Sequence, residues 1–137
     1  MNVKIDEGAY MPIRAHATDA GLDLRSKDDA VIWGGMSEVF DTGIHVELPH
    51  GYYGKIESKS GLNVNNSVVC CGGTIDEGYT GSIRVKLYNL SNQSYLVREG
   101  DKIAQLVIMP YIAPEITVVD DLAETDRGDN GFGSTGK

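Results

Sequence analysis

Short runs of β-favouring residues follow one another along the chain, and turn-forming pairs such as Gly34-Gly35, Gly72-Gly73 and Glu99-Gly100 separate them. Runs of this length and spacing are typical of strands in an antiparallel sandwich, jelly roll or barrel. We therefore predict an all-β fold. The predicted strands cover residues 30–33, 44–48, 53–56, 68–71, 83–90, 94–97, 102–109 and 116–119.

Helical periodicity is nearly absent from the sequence. The best helix candidate is a short turn after Ser60, whose hydroxyl is a suitable N-cap for residues 61–65. We therefore expect one short helix and little helical content elsewhere.

The apolar pattern ends at Asp120, and the residues from there to Lys137 are mostly polar and rich in glycine. Such a composition predicts a mobile arm rather than a packed element. An arm of this length spans about 60 Å when extended, which is far enough to reach a second subunit. We therefore divide the chain into one β domain, residues 1–119, and a C-terminal arm, residues 120–137.

Composition and charge exclude several classes of protein. The 137 residues suit a single domain, and 20 acidic against 12 basic residues give a net charge of −8. This charge repels nucleic acid and anionic lipid, and no basic patch counters it. The longest apolar run, residues 106–109, is too short to cross a bilayer, and the first residues lack the apolar stretch of an export signal. We therefore expect a cytoplasmic protein that binds neither nucleic acid nor membranes.

The cysteines and histidines show no spacing that indicates chemistry. Cys70 and Cys71 are adjacent and offer no disulfide framework, which fits a reducing compartment. His16, His45 and His50 lack the spacing of a zinc site, and we expect them on the surface or in turns.

The C-terminal arm carries residue types that bind phosphates and nucleobases. Glycine N–H groups together with the hydroxyls of Ser134 and Thr135 can wrap around oxyanions. Phe132 either pins the arm to the domain or stacks on a base. Arg127, isolated among acidic residues, is either a solvated surface charge or a bidentate partner for phosphate oxygens.

The β domain offers four further candidates. Residues 58–62 combine hydroxyls, an ammonium group and a helix start, which form either a plain cap or an anion site. Asp76 is either a turn carboxylate that bonds its own backbone or a general base that deprotonates a water. Asp19 and Asp23 are either a metal-binding pair or include a turn residue. Gln105 interrupts an apolar strand, as a core hydrogen-bonding group or as a ligand contact.

Taken together, five segments resemble the five ordered motifs of the trimeric dUTP pyrophosphatases, the dUTPases. The segments are ATDAGLDL from Ala17, SKSGLN from Ser58, GTIDEGYTG from Gly73, GDKIAQL from Gly100 and RGDNGFGSTG from Arg127. Five motifs in order over nearly the whole chain are far more specific than any one of them. The second motif departs from the family pattern, with Lys59 in place of arginine and Asn63 in place of alanine.

The resemblance implies a β jelly roll that assembles as a homotrimer, with active sites shared between subunits and a swapped C-terminal arm. It implies that Asp76 activates the water that attacks the α-phosphorus of dUTP, which releases pyrophosphate and leaves dUMP. It also implies that Asp23 holds a water of the Mg²⁺ ion that the triphosphate chelates. The implied phosphate contacts are Lys59, Ser60, Gly61, Gln105, Arg127 and Ser134, and the implied lid over the uracil contains Phe132 and Gly133.

The resemblance further implies that the hairpin over residues 69–79 selects uracil through main-chain groups, with Cys70, Gly73 and Ile75 among the substrate contacts. Cytosine presents the opposite donor and acceptor, so it leaves buried main-chain groups unpaired. Tyr79 resembles the ring that packs against deoxyribose and collides with a ribose 2′-hydroxyl. We therefore expect dUTP to be the substrate and UTP to be a poor one.

Three alternatives stay open on the sequence. A dCTP deaminase shares this fold but carries a catalytic glutamate where this chain has Lys86. A regulatory protein that binds a repressor would keep the catalytic motifs, and a jelly-roll binding module without catalysis would lack Asp76 or the arm. The leading interpretation is a cytoplasmic, Mg²⁺-dependent, homotrimeric dUTP diphosphatase that lowers dUTP and supplies dUMP for thymidylate synthesis.

Overall fold

A computed structural model of the chain describes residues 1–130 and consists mainly of β-strands. Within this range it contains 11 strands and one helix, which confirms the predicted all-β class with one short helix. The elements are β1 (Asn2–Ile5), β2 (Gly21–Arg25), β3 (Ala30–Ile32), β4 (Ser37–Asp41), β5 (Ile44–Glu47), β6 (Tyr52–Glu57), α1 (Ser60–Asn66), β7 (Val68–Cys70), β8 (Thr74–Ile75), β9 (Arg84–Asn89), β10 (Tyr95–Val97) and β11 (Lys102–Pro110).

The described strands pair in antiparallel fashion to form two main sheets and two short ribbons. The larger sheet has the order β2-β11-β6-β8, the second has the order β4-β9-β7, and the ribbons are β1-β5 and β10-β3. Gln105 of β11 lies opposite Asp23 of β2 on one side and Glu57 of β6 on the other. This row of the sheet therefore places the first and fourth sequence motifs side by side, next to the residue that precedes the second motif.

Alternating side chains of these sheets form one apolar core. In β9 the exposed and buried positions alternate, which places Val85 and Leu87 in the core and leaves Lys86 outside. All four sheets contribute, because Leu24 of β2, Ile44 of β5, Leu87 and Val97 of β10 are almost completely buried in one cluster. Complete burial of one such aliphatic side chain stabilises the fold by about 1.5–3 kcal/mol.

Asn89 is a buried polar residue whose side chain forms hydrogen bonds with the surrounding backbone and with the Ser91 hydroxyl. Its Nδ2 donates to the carbonyl oxygens of Ile32 at 2.9 Å and of Gln93 at 2.7 Å. Its Oδ1 accepts from the backbone N–H of Ser91 at 3.0 Å and from the Ser91 hydroxyl at 2.7 Å. The side chain therefore ties the end of β9 to β3 and to the following loop.

The helix follows the prediction in place but not in its cap. α1 begins at Ser60 itself, and the N-cap is Lys59, which has an extended backbone and makes no side-chain capping bond. The chain leaves β6 in extended conformation up to Lys59, so the cap falls one residue earlier than the serine predicts. Among residues 1–130, no helix has the length and apolar content that crossing a membrane requires.

The predicted strand over residues 116–119 is wrong. Residues 111–130 contain no strand or helix in the structure, and Ile116 and Val118 are more than 90% exposed. Strand propensity measures how well a side chain fits a sheet surface, and this segment finds no sheet partner within the described residues. Sequence reasoning also missed β1, β2, β4 and β8, which are only two to five residues long.

Candidate active site

Asp23 is a buried carboxylate held between two lysines. Its side chain is only 4% exposed, Lys59 Nζ donates to its Oδ1, and Lys102 Nζ lies 2.7 Å from its Oδ2. Burial alone would raise the pKa of Asp23, but the ammonium groups of Lys102 and Lys59 outweigh it and hold the pKa below its ordinary value. Asp23 is therefore ionised at neutral pH. Among the described residues, the contact of Oδ2 with Lys102 is an ion pair without the geometry of a directed hydrogen bond.

A β-bulge gives Lys102 its position. Lys102 pairs with Arg25 and Ala104 pairs with Leu24, so Ile103 is an extra residue in β11. A bulge of this kind re-aims the side chains on either side of it. Without it, Lys102 and Gln105 would point to opposite faces of the strand, whereas here Lys102 shares the face of Asp23.

Gln105 orders the segment that leads into α1. Its Nε2 donates to the carbonyl oxygen of Ser58 at 3.2 Å, and its side chain lies against the backbone of Gly21, where a Cβ would clash with it. The Ser58 hydroxyl donates to the carbonyl of Cys70 at 2.7 Å and accepts from the Cys70 N–H at 2.8 Å. These bonds connect β11, the residues before α1 and β7. The exposed Ser60 and Gly61 then form the first turn of the helix next to the lysine pair.

The hairpin between β7 and β8 carries its apolar side chains inward. Cys70 and Ile75 are buried in the core, so these two residues offer mainly main-chain groups to a ligand. Burial raises the pKa of the Cys70 thiol, which stays protonated. Gly72 has a φ of +80°, a left-handed conformation that favours glycine, and Gly73 accepts a bond of 2.9 Å from the Ile56 N–H.

Asp76 and Tyr79 lie on the segment that follows β8, residues 76–82, which we call the Asp76 loop. Asp76 is exposed and lines a cleft of about 450 Å³ together with Tyr53, Thr74, Glu77, Gly78 and Tyr111. The Tyr79 N–H donates to the Asp76 carbonyl at 3.0 Å, and the Tyr79 hydroxyl donates to the Ser82 carbonyl at 3.0 Å. Within residues 1–130 the Asp76 carboxylate has no ion pair or hydrogen bond, so it is available to a ligand or a water.

The structure thus places many of the candidates that the sequence singled out in two groups, towards the two edges of the β2-β11-β6-β8 sheet. Asp23, Lys59, Ser60, Gly61 and Gln105 lie around the β2-β11-β6 row, and Cys70, Gly73, Ile75, Asp76 and Tyr79 lie on or just after the hairpin. Asp19 lies in a turn, where its backbone N–H bonds to the carbonyl of His16 at 3.0 Å.

Of the four candidate residues in the C-terminal arm, the structure describes one, Arg127. Arg127 is exposed, and its Nε donates to the carbonyl of Asn130 at 3.0 Å. Phe132, Gly133 and Ser134 lie outside the described residues.

Four residues around the site were missed by sequence reasoning. Glu77, His50 and Tyr111 are joined by hydrogen bonds at the cleft, and Lys102 contacts Asp23. His50 and Tyr111 lie 27 and 34 residues from Glu77 in the chain, and a local sequence pattern does not predict contacts over such separations. For Lys102 the sequence does offer a signal, because this residue lies three positions before Gln105 in the same motif, GDKIAQL.

Comparison with known proteins identifies the family of the chain. The model of the dUTPase family matches residues 7–136. A deoxyuridine 5'-triphosphate nucleotidohydrolase from Clostridium acetobutylicum is 42% identical over 135 residues, which cover 97% of this chain and 93% of the relative. One from Corynebacterium glutamicum is 44% identical over 138 residues, with 98% and 93% coverage.

A solved structure shares the fold over nearly its full length. The dUTPase of Staphylococcus bacteriophage 80alpha with dUpNHpp superposes with a TM-score of 0.93 at 32% identity, covering 99% of this chain and 98% of that one. This likeness confirms the predicted jelly-roll-like fold of the dUTPase type. With the family model and the bacterial relatives, it establishes that the chain belongs to the dUTPase family.

Proposed function

We propose that this protein hydrolyses dUTP to dUMP and pyrophosphate by attack of water on the α-phosphorus. The observation that carries the proposal is the Asp76 carboxylate, exposed at the cleft beside the hairpin and unpaired within residues 1–130. A carboxylate in this position accepts a proton from a water and directs the resulting nucleophile at an adjacent phosphorus. In the cell this reaction keeps dUTP low, so that little uracil enters DNA, and it supplies dUMP for thymidylate synthesis.

The row of the sheet around Asp23 supplies the positive charge that a triphosphate requires. Lys59 and Lys102 bring two ammonium groups to one carboxylate, which leaves this cluster with a net positive charge in a protein whose net charge is −8. The exposed Ser60 hydroxyl and the N–H of Gly61, which lacks an intrahelical partner in the first turn, can donate to phosphate oxygens. We assign the phosphate chain to this cluster.

The same cluster suits a magnesium ion that arrives with the nucleotide. Oδ2 of Asp23 is buried and has an ionic contact with Lys102 that lacks the geometry of a directed hydrogen bond, and carboxylate oxygens are the ligands that Mg²⁺ prefers. Within residues 1–130 no group of three or more His, Cys, Asp or Glu side chains is arranged to hold a metal. Asp23 therefore suits an ion that keeps its waters and rests on substrate phosphates. When bound, Mg²⁺ neutralises the charge of the phosphate chain and fixes its shape.

Selection of the base falls to the hairpin, and selection of the sugar to Tyr79. Because the Cys70 and Ile75 side chains point into the core, the edge of the base meets main-chain groups, which discriminate by hydrogen bonding. Tyr79 is held by its hydroxyl bond to the Ser82 carbonyl, and its ring lies against Gly81, so a ribose 2′-hydroxyl has no room to displace it.

We further propose a homotrimer in which the arm, residues 120–137, completes the site of a neighbouring subunit. Residues 111–130 leave Ile112, Ile116, Val118 and Leu122 between 87% and 94% exposed. A segment with this many exposed apolar side chains is typical of an interaction surface. Arg127 and the residues beyond it, with Phe132 and Ser134, would then close over the nucleotide. Light scattering of the purified protein should give a mass three times 14.8 kDa.

A cytoplasmic location completes the proposal, and the free thiols of Cys70 and Cys71 support it. Free thiols persist in a reducing compartment, whereas disulfides are frequent in secreted proteins.

The first experiment is a substrate panel. The purified protein is mixed with Mg²⁺ and, separately, with dUTP, dCTP, dTTP or UTP, and chromatography follows pyrophosphate and the nucleotide products. We expect pyrophosphate and dUMP from dUTP alone. Ammonia and dUTP from dCTP would identify a deaminase instead, although the exposed Lys86, whose ammonium lies 5.1 Å from the centre of the Tyr88 ring, is not a proton-shuttling carboxylate. Absence of turnover with all four nucleotides would refute the proposed function.

A further inference from the structure

The Asp76 loop has little internal structure of its own. Residues 76–82 contain no strand or helix and include Gly78 and Gly81. Two bonds inside the loop, both made by Tyr79, are those to the carbonyls of Asp76 and Ser82. A loop of this kind needs anchors outside itself to hold a carboxylate in one place.

The first anchor is Glu77, the residue directly after Asp76. Its Oε1 lies 2.9 Å from His50 Nδ1, and its Oε2 accepts from the Gly51 N–H at 2.9 Å and from the Tyr111 hydroxyl at 2.8 Å. Two of these partners are also bonded to each other, because the Tyr111 N–H donates to the Gly51 carbonyl at 3.0 Å. Bonds from His50, the Gly51 N–H and Tyr111 lower the pKa of Glu77 to about 2, so it is charged at every pH at which the protein works.

The second anchor is His45 of β5, which holds the other half of the loop. Its Nδ1 lies 2.8 Å from the Thr80 carbonyl oxygen and its Nε2 lies 3.2 Å from Asp6 Oδ2. Both partners are acceptors, and a neutral imidazole has one N–H, so only the protonated ring donates both bonds. The bonds to Thr80 and Asp6 accordingly raise the pKa of His45.

We propose that Glu77 and His45 are positioning residues, which clamp the Asp76 loop from two sides and so fix the direction of the Asp76 carboxylate. This inference rests on the proposed function for its kinetic consequences, while the clamp itself concerns the loop alone. Glu77 fixes the start of the loop to the turn before β6 and to the residue after β11. His45 fixes Thr80 to β5 and, through its contact with Asp6, to the end of β1.

The clamp makes the loop sensitive to pH through His45. The charged groups around this ring are Asp6 and Lys4 from the β1 side and Glu47 on its own strand, which is engaged by Asn2. Protonated His45 makes both bonds, and one of them is lost as the pH rises through its raised pKa. The loop should therefore be held more firmly at pH 6 than at pH 9.

The kinetic test compares Glu77→Ala with a matched control elsewhere in the chain. Glu99 accepts a bond of 2.8 Å from the Tyr10 hydroxyl, the same length as the bond between Tyr111 and Glu77. Misplacement of a reacting group by about 1 Å can lower a rate by about a hundredfold. We expect Glu77→Ala to lower kcat by at least about tenfold with little change in KM, and Glu99→Ala to leave both close to the wild type.

Glu77→Gln and His45→Gln separate positioning from a general loss of stability. Glu77→Gln keeps an acceptor for the Gly51 N–H and for Tyr111, so it should recover part of the kcat that alanine loses. His45→Gln should lower kcat at pH 6, and its deficit against the wild type should shrink towards pH 9. Equal kcat for Glu77→Ala and Glu99→Ala, or a deficit of His45→Gln that is independent of pH, would overturn the proposal.

Hydrogen exchange tests the clamp without relying on turnover. Amides of residues 76–82 should exchange at least several-fold faster in Glu77→Ala than in the wild type, while amides of β9 and β11 are unchanged. Unchanged exchange in the loop would refute the clamp even in a protein that hydrolyses dUTP. Lack of dUTP turnover in the wild type would refute the proposed function and leave the exchange result to decide on the clamp.

Discussion

Replacing Asn89 with alanine should destabilise the domain far more than most single substitutions do. The side chain makes four hydrogen bonds, two as donor to the Ile32 and Gln93 carbonyls and two as acceptor from Ser91. Each bond contributes about 0.5–1.5 kcal/mol, and a buried partner left unsatisfied costs about 1–3 kcal/mol. The buried Ile32 carbonyl is such a partner, so the four lost bonds and this penalty together should cost at least about 3 kcal/mol. This is a large part of the about 5–15 kcal/mol that stabilises a typical domain.

Urea unfolding followed by circular dichroism measures this loss. Wild type and Asn89→Ala are compared at one protomer concentration, because assembly makes the midpoint depend on concentration. Ser91→Ala is the matched control, since it removes the hydroxyl bond to Asn89 Oδ1 and two exposed bonds with the Gln93 backbone but leaves both Asn89 donor bonds in place. It should cost about 1 kcal/mol. A loss below about 1.5 kcal/mol for Asn89→Ala, with an unchanged slope in urea, would refute the reasoning from the buried network.

Four further predictions concern the site and its supports. Asp76→Asn should keep the fold and nucleotide binding but lower kcat by about 10²–10⁴, and steady-state kinetics with near wild-type kcat would remove Asp76 from the mechanism. Deletion of residues 127–137 should leave the circular dichroism spectrum unchanged, because the strands of the described structure end at residue 110, yet it should cripple turnover. Because the pKa of Asp23 is lowered from 3.8, its ion pairs stabilise the fold above pH 3.8, and this stabilisation is lost as the pH falls through the lowered pKa. In acid unfolding, the wild type should therefore lose its stability advantage over Asp23→Asn once the pH is below the lowered pKa. Gly72→Ala should lower stability by about 1–2 kcal/mol in thermal unfolding, because φ is +80° there and a Cβ would lie 3.4 Å from the Ile56 carbonyl oxygen.

The strands that the sequence predicts best are the long ones with strong alternation or high apolar content. Runs 83–90 and 102–109 correspond to β9 and β11, because their apolar side chains face a core that the same chain provides. The run 116–119 has the same propensity, yet its side chains face no core within the described residues, so propensity alone misleads there.

The site was predictable where its chemistry lies in local motifs and not where it depends on long-range contacts. Asp23 and Asp76 lie in recognisable motifs, but the charge of Lys102 reaches Asp23 only because of the bulge at Ile103. His45 and His50 lack any metal-like spacing, so the sequence assigned them to the surface or to turns. Their bonds to residues 80 and 77 arise from the folding of the loop against β5 and the turn after it.

The lysine at position 59 departs from the arginine of the family pattern, and the pair of lysines on Asp23 gives a physical reason why it can be tolerated. An arginine presents a planar fork that can engage both oxygens of one carboxylate, whereas a lysine is a point charge that engages one. In this chain Lys59 contacts Oδ1 and Lys102 contacts Oδ2, so each oxygen of the Asp23 carboxylate is paired with one ammonium group. The side chains of Lys59 and Lys102 are 27% and 38% exposed, so each can also turn towards a phosphate without leaving the cluster uncharged. The departure at position 59 therefore preserves the positive charge of the site, while it gives up the bidentate geometry that an arginine would bring to the phosphate.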